Sequence, residues 1–395
     1  MGIRFVWPRV GSWLVLLAAL FVSRERAVGQ GGLVRLDSLG HAARFAEAQL
    51  AHSVSYLAAN QHARSTLAGG AWRYVGAQDW TSGFFAGCQW LMYERTQGEK
   101  WRLRATQQTL DLAGQQNNTG DHDIGFRIFL SYGNAFRCTG DPAYRDVLWT
   151  AAQSLATRFN PTVGCTRSWD FGAWQFPVII DNLMNLELLF WSAQNGGDPN
   201  GYAMARSHAL RTLQEHVRPD GSTYHVVDFD PATGAVLWKG THQGYADNST
   251  WSRGQAWAIY GFTMTYRYTH EQVFLDGACR VAEYWLKNVP PDGVPYWDFQ
   301  APGIPNEPRD TSAAAIAAAG LLELGTAVND PVLGSKYRQA GVALLRTLSQ
   351  APYLAEGSNS DGILLHGVGN KPANSEVDVS LIYGDYYFLE ALRRL

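Results

Sequence analysis

The sequence predicts an all-α protein whose paired helices close into a ring, interrupted by one β-hairpin. Three observations lead there. About twelve segments carry apolar residues at i, i+3 and i+4 spacing. No regular alternation of strand and helix announces a parallel sheet. The helices alternate with loops rich in chemistry-bearing residues, without a strict short repeat of the solenoid kind. The composition agrees with a packed globule. Of 395 residues, 46% are hydrophobic, 17% charged and 13% aromatic, which excludes a disordered chain, a coiled coil and a collagen-like fibre. A net charge of −3 excludes a nucleic-acid partner bound through a strong basic field.

The first 29 residues read as an export signal. Arg4 and Arg9 form a basic start, Gly11 to Val22 is an apolar stretch too short to span a bilayer, and Ala27-Val28-Gly29 offers small residues for cleavage. A retained anchor is the alternative. Loss of this segment, with its four Arg and one Glu, leaves 28 basic and 34 acidic residues, a net charge of −6. The expected location is the periplasm or the exterior. Residues 30–395 read as one domain. No later segment has 18 unbroken apolar residues, so no membrane contact is expected after cleavage.

The helical segments fall at 41–60, 82–96, 100–116, 123–137, 142–159, 179–194, 200–216, 253–268, 271–288, 311–328, 331–349 and 378–393. Asp141-Pro142 and Asp330-Pro331 set an N-cap before a proline at the first helical position, and Gly140, Gly196 and Gly197 suit helix ends. Ser222–Phe229 and Ala235–Trp238 flank Asp230-Pro231-Ala232-Thr233-Gly234 and read as a hairpin. Val289 to Asp310, with six Pro and two Gly, must be loop. Cys88, Cys138, Cys165 and Cys279 lack metal-site spacing. Cys88 and Cys279 read as core thiols, and one disulfide is possible but cannot be paired from sequence.

Four constellations can carry chemistry. Asp181 lies in an apolar run from Phe176 to Trp191. Burial there raises a carboxyl pKa, which suits a general acid near neutral pH. The alternative is a helix N-cap, which no Glu or Gln three residues on supports. Asp121-His122-Asp123 precedes a helix, so one acid can cap it while the other pairs with Asp181. Thr241 to Trp257 gathers His242, Gln243, Arg253, Trp251 and Trp257. It reads either as a helix start with core tryptophans, or as an arginine fork and stacking faces for an acidic sugar. His225 is either a ligand contact or a solvated strand residue. Trp80, Trp169 and the Val294–Phe299 stretch set aromatics beside aspartates at loop-to-helix junctions, as a carbohydrate cleft would.

Across these residues the chain resembles the unsaturated glucuronyl hydrolase family, glycoside hydrolase family 88. The motifs are DWTSGFF (79–85), HDIGF (122–126), SWD (168–170), IIDNLMNLELLFW (179–191), DGSTYHVVDFDPATG (220–234), THQGY (241–245), WSRGQAWAIYGF (251–262), VPYWDFQAPGIP (294–305), RDTSAAAI (309–316) and EVDVSLIYGDYYFLEAL (376–392). The resemblance implies an (α/α)6 barrel. It implies removal of a 4-deoxy-4,5-unsaturated uronic acid from the non-reducing end of lyase-generated oligosaccharides. That chemistry is hydration of a vinyl ether: a carboxylic acid gives a proton to C4, water adds at C5, and the hemiketal opens. The carboxylate-separation rule for ordinary glycosidases therefore does not apply.

By position, Asp181 matches the family's general acid/base and Asp123 its second aspartate. His225, His242, Gln243, Arg253 and Trp257 match residues of the uronate site, with Arg253 the candidate for its carboxylate. Trp80 and Trp169 match aromatic subsite walls. Hydration needs only carboxylates and water, so no metal or cofactor is implied. Gly367 and Asn370 stand where members favouring sulfated fragments have serine, although Lys371 is kept, which implies no strong preference for sulfate. An unsaturated rhamnogalacturonyl hydrolase, a polysaccharide lyase on a similar toroid, and a sugar-binding toroid without activity are the competing readings. The parent polysaccharide and the oligomeric state are not fixed by the sequence.

Overall fold

The computed structural model describes residues 30–395, with side chains from residue 38 onward. The expected export signal at 1–29 lies outside the described residues. The outer helices are α1 (Gln30–Tyr56), α3 (Glu99–Asp111), α5 (Pro142–Ala156), α7 (Asn200–Glu215), α9 (Gln272–Asn288) and α11 (Pro331–Leu348). The inner ones are α2 (Ser82–Thr96), a wide π-helical stretch Gly125–Gly133 continued by α4 (Asn134–Thr139), then α6 (Asn182–Gln194), α8 (Ser252–Thr269), α10 (Thr311–Ala327) and α12 (Ile382–Arg393). Each inner element packs on the next, and α12 packs back on α2, so the ring closes. This is the expected (α/α)6 barrel.

The burial pattern follows the ring. Ser252 to Thr265 of α8 and Thr311 to Leu322 of α10 are buried without a break, as helices surrounded on all sides must be. Outer helices α9 and α11 bury one face only. Their N-caps follow the sequence reading: Asp141 accepts from the Ala143 amide, and Asp330 from Val332 and Leu333. Because inner and outer helices alternate, the inner ones all run in the same direction. Their N-terminal ends, and the loops that enter them, therefore gather at one end of the barrel.

Small antiparallel sheets decorate that end. β1 (His62–Thr66) pairs with β2 (Trp72–Val75), and β3 (Phe159–Asn160) with β4 (Cys165–Thr166). The expected hairpin forms as β6 (Val226–Phe229) and β7 (Val236–Gly240), and β5 (Pro177–Ile179) joins it with Ile179 opposite Val226. β8 (Gly367–Asn370) and β9 (Ser375–Val379) form a last hairpin. Two helix starts shift for this reason. The β-branched run Val178-Ile179-Ile180 completes a sheet instead of opening α6 at 179, and Ser375–Val379 pairs with β8 before α12 begins at 382. The segment Val289–Asp310 holds neither helix nor ladder strand, as its prolines require. All four cysteines are free thiols. Cys88 and Cys165 are buried, whereas Cys279, expected in the core, is only half-buried.

α2 lies very close to the π-helical stretch. A Cβ on Gly83 would come within 2.2 Å of the Phe126 carbonyl oxygen and 2.4 Å of that of Arg127, both backbone atoms that cannot swing aside. Gly83→Ala is expected to cost about 3 kcal/mol in chemical denaturation. Gly114→Ala, which meets nothing within 4 Å, is expected to change stability by less than about 0.5 kcal/mol.

Candidate active site

The loops at the N-terminal ends of the inner helices enclose a cavity of about 350 Å3. It brings together seven of the nine residues expected from sequence: Trp80, Asp123, Trp169, Asp181, His242, Gln243 and Arg253. The other two stand behind its wall. Trp257 is buried and packs edge-on against Tyr387 and obliquely on Phe126. His225 is buried, with its Nε2 4.0 Å from Asp181 Oδ1. Trp297 and Asp298 of the aromatic-acid stretch do not line the cavity. Asp298 instead accepts from the Tyr245 amide, the Ser249 hydroxyl and the Gln300 amide to fold its own loop.

Asp181 sits at the start of α6, but its side chain makes no capping bond. The carboxylate is therefore free for chemistry. Strand β5 delivers it, and the Ile180 amide donates to the His225 carbonyl at 2.9 Å, which ties Asp181 to the hairpin. Burial pushes the Asp181 carboxyl from its ordinary 3.8 up to about 7, against the opposing pull of the Arg253 charge. Asp181 Oδ1, His225 Nε2 and Trp257 Nε1 all lack hydrogen-bond partners. Three orphaned buried polar atoms around one carboxyl mark a place kept for a ligand and not for the fold.

The two acids of 121–123 divide as the sequence allowed. Asp121 belongs to the scaffold. It accepts from Arg127 at 2.6 and 3.3 Å and from the Asp123 amide, and despite its burial Arg127 holds its carboxyl below the usual range. Asp123 faces the cavity. Burial first, then the neighbouring Asp121 and Asp181 carboxylates, holds its own carboxyl well above the usual range.

Each cavity aspartate has a histidine whose protonation is fixed from behind. The Phe126 amide donates at 2.8 Å to Asn185 Oδ1, so Asn185 Nδ2 must be the donor to His122 Nδ1 at 3.2 Å. His122 therefore carries its proton on Nε2, which faces Asp123 Oδ1 at 3.4 Å. Burial pushes His122 down to about 3, so the ring is neutral. His225 repeats the scheme. The His242 and Gln243 amides, each at 3.2 Å, donate to its Nδ1, which leaves Nε2–H toward Asp181. Burial also holds this ring neutral.

The remaining walls are aromatic and cationic. Trp80 lies 5.1 Å from the Tyr383 ring, and Trp169 stacks on Phe171 at 4.8 Å. Arg253 is fully engaged at one end: Nη1 donates to Asp310 Oδ2 at 2.9 Å and to the Val368 carbonyl, and Nη2 to the Gly369 carbonyl at 2.6 Å. Its fork is thus committed to the protein, and it reaches Asp181 as a positive field. The second guanidinium on the wall, Arg64, is held by Glu376 at 2.8 and 3.1 Å and by Asp79 at 2.7 Å. Sequence reasoning missed Arg64, Phe171, Asn185 and the functions of Asp310 and Tyr383. The last three lay in motifs without a distinguishing spacing, and Arg64 had no signal at all.

The chain is 45% identical over 326 residues to an unsaturated glucuronyl hydrolase from Formosa agariphila, covering 81% of this chain and 80% of that protein. The chain belongs to the unsaturated glucuronyl hydrolase family. The family is one of glycoside hydrolases, and solved members share the fold. A crystal structure of an unsaturated glucuronyl hydrolase specific for heparin superposes with a TM-score of 0.88 at 43% identity, covering 91% of this chain and 96% of that one. A Streptococcus agalactiae unsaturated glucuronyl hydrolase, solved with one aspartate changed to asparagine and complexed with dGlcA-GalNAc6S, superposes with a TM-score of 0.78 at 31% identity over 90% of both chains. No family model matches the chain. These names side with the glucuronyl reading over the rhamnogalacturonyl one.

Two outcomes follow from this geometry. Asp181 is protonated in the folded protein up to pH about 7, whereas in the unfolded chain it ionises near 3.8. Stability is thus lost as pH rises between those values. Asp181→Asn carries no such penalty, so it is expected to be more stable than wild type by about 2–4 kcal/mol at pH 8, with the gain vanishing below pH 4. Denaturant titrations at both pH values check this. Asn185→Asp is isosteric but cannot donate to His122. It is expected to raise the His122 pKa from about 3 into the neutral range, seen as a new imidazole titration by nitrogen NMR.

Proposed function

We propose that this family member removes a 4-deoxy-4,5-unsaturated uronic acid from the non-reducing end of oligosaccharides by hydrating its C4=C5 bond. The observation that carries the mechanism is the Asp181 carboxyl, buried at the cavity floor, unused as a cap, and raised to about 7. Such a group holds a proton at neutral pH and can lose it in the same range. Protonated Asp181 gives its proton to C4, and positive charge develops at C5, shared with the ring oxygen. Water adds at C5 and returns a proton to the Asp181 carboxylate. The C5 hemiketal opens to a ketone, C1 becomes a hemiacetal, and the aglycone sugar leaves as its alcohol.

Asp123, whose carboxyl is held well above the usual range by burial and by the Asp121 and Asp181 carboxylates, faces the same cavity. It hydrogen-bonds a substrate hydroxyl and positions the water. Neutral His225 and His122 carry their protons on Nε2, the first directed toward Asp181, the second toward Asp123. Arg253 limits the rise in the Asp181 pKa and supplies positive potential for the uronate carboxylate. Trp80 and Trp169 flank the sugar rings, and His242 and Gln243 offer polar contacts along the same wall.

Among the related structures, one is described as specific for heparin and another holds dGlcA-GalNAc6S. Glycosaminoglycan-type uronates are therefore the first substrates to test, with unsulfated ones included because glycines line the β8 strand. We also propose export, on the strength of the basic, apolar and small-residue order within 1–29.

The test follows the absorbance of the enol-ether carboxylate, which the hydrated product lacks. Wild type is expected to abolish it. Asp181→Asn is expected to lose about 10²–10⁴-fold in kcat. Activity is expected to fall as pH rises through about 7, where Asp181 loses the proton it must donate. Retention of activity within a few-fold in Asp181→Asn overturns the assignment.

A further inference from the structure

The cavity is small for an oligosaccharide site, at the low end of the usual range for ligand pockets. Its wall changes character toward the mouth. Trp169 is 8% exposed, whereas Phe171, two residues on and also lining the cavity, is 55% exposed. The two rings stack nearly parallel, at 4.8 Å and 16°. Phe171 is one of the most exposed large apolar side chains of the described residues, and it stands at the rim of the site instead of on a helix face. An exposed aromatic continuous with a binding cavity is a feature with a reason.

The segment that presents it has contacts on both sides. On one side of Phe171, Asp170 is gripped by Arg158 through bonds of 3.0 and 3.2 Å. Arg158 also donates to the Arg167 and Thr119 carbonyls at 2.8 and 2.6 Å. On the other side, Gly172 has φ +81°, and a Cβ there would lie 2.5 Å from the Trp174 ring. Trp174 in turn meets His242 edge-on at 5.8 Å and Trp169 at 5.5 Å. Phe171 thus lies against the rings of Trp169, Trp174 and His242. A rigid aromatic face binds with little loss of side-chain freedom.

We propose that Phe171 forms a further sugar subsite at the mouth of the cavity, beyond the Trp169 wall, that stacks the third residue of the substrate counted from its unsaturated end. The occupant follows from direction. The unsaturated uronate must reach the aspartates on the floor, so the reducing-side sugars leave through the mouth, along the wall formed by Trp169 and then Phe171. The inference rests on the proposed hydrolase reading and makes the protein selective for longer products of the lyase that feeds it.

The experiment compares kcat/KM for an unsaturated disaccharide and an unsaturated tetrasaccharide of the same repeat, by loss of enol-ether absorbance. Wild type is expected to favour the tetrasaccharide. In Phe171→Ala the ratio of the two kcat/KM values is expected to fall about five- to tenfold. In Phe171→Trp it is expected to be kept. A ratio that changes less than twofold in Phe171→Ala, or that Phe171→Trp loses as well, overturns the subsite. A wild-type protein that consumes neither substrate overturns the hydrolase reading itself, and the subsite with it. Equal thermal stability of the three proteins, expected for an exposed ring, ties the effect to binding.

Discussion

The Arg253–Asp310 pair holds the site end of the barrel together. The two side chains are 2% and 0% exposed, 2.9 Å apart, and join the first turn of α8 to the N-cap of α10. Asp310 uses its other oxygen to cap α10, through the Ser312 amide at 3.0 Å. Arg253 uses its other donors on the Val368 and Gly369 carbonyls, and lies over the Trp251 ring at 4.4 Å and the Tyr383 ring at 5.2 Å. One buried ion pair thus fixes two inner helices, the β8–β9 hairpin and two aromatic rings. A buried charge without its partner is strongly disfavoured, so these elements cannot move independently. The cavity keeps its shape because its roof is attached to its wall through a charge that has nowhere else to go.

Within that frame the electrostatics of the floor are a contest between opposing effects. Parallel inner helices turn their positive ends toward the cavity, which favours anions. Arg253 adds to that. Both act to keep the aspartates ionised. Burial acts the other way and prevails for Asp181 and Asp123. The result is a floor that holds protons in a potential suited to a negatively charged sugar. The histidines do not compete for those protons, because burial holds both rings neutral and backbone or amide donors fix which nitrogen carries the hydrogen. Asp181, pushed up to about 7, therefore titrates near neutrality without a histidine competing for its proton.

The aromatic residues divide by depth. Trp257, Phe126 and Tyr387 are buried and pack on one another behind the cavity wall. Trp80 and Trp169 line the wall. Phe171 stands at the rim.

Helical periodicity by itself determined the ring of helix pairs, because an apolar stripe at 3.6-residue spacing has to be buried somewhere and short loops leave only neighbours to bury it. Asp181 was legible for the same reason: a carboxylate in the run from Phe176 to Trp191 has no polar surroundings in any fold that buries that run. The proposal of export likewise rests on sequence alone. Contacts between distant segments decided the rest. Asp121 and Asp123 look alike along the chain, and only the approach of Arg127 separates the scaffold acid from the cavity acid. Arg253 looked free to grasp a carboxylate until Asp310, 57 residues on, and the β8 carbonyls took its donors. Asn185 gains its function only because the π-helical stretch brings the Phe126 amide to its oxygen. Sequence states which groups must be buried. The tertiary structure decides which partner each buried group meets, and so which of them keeps a proton to give.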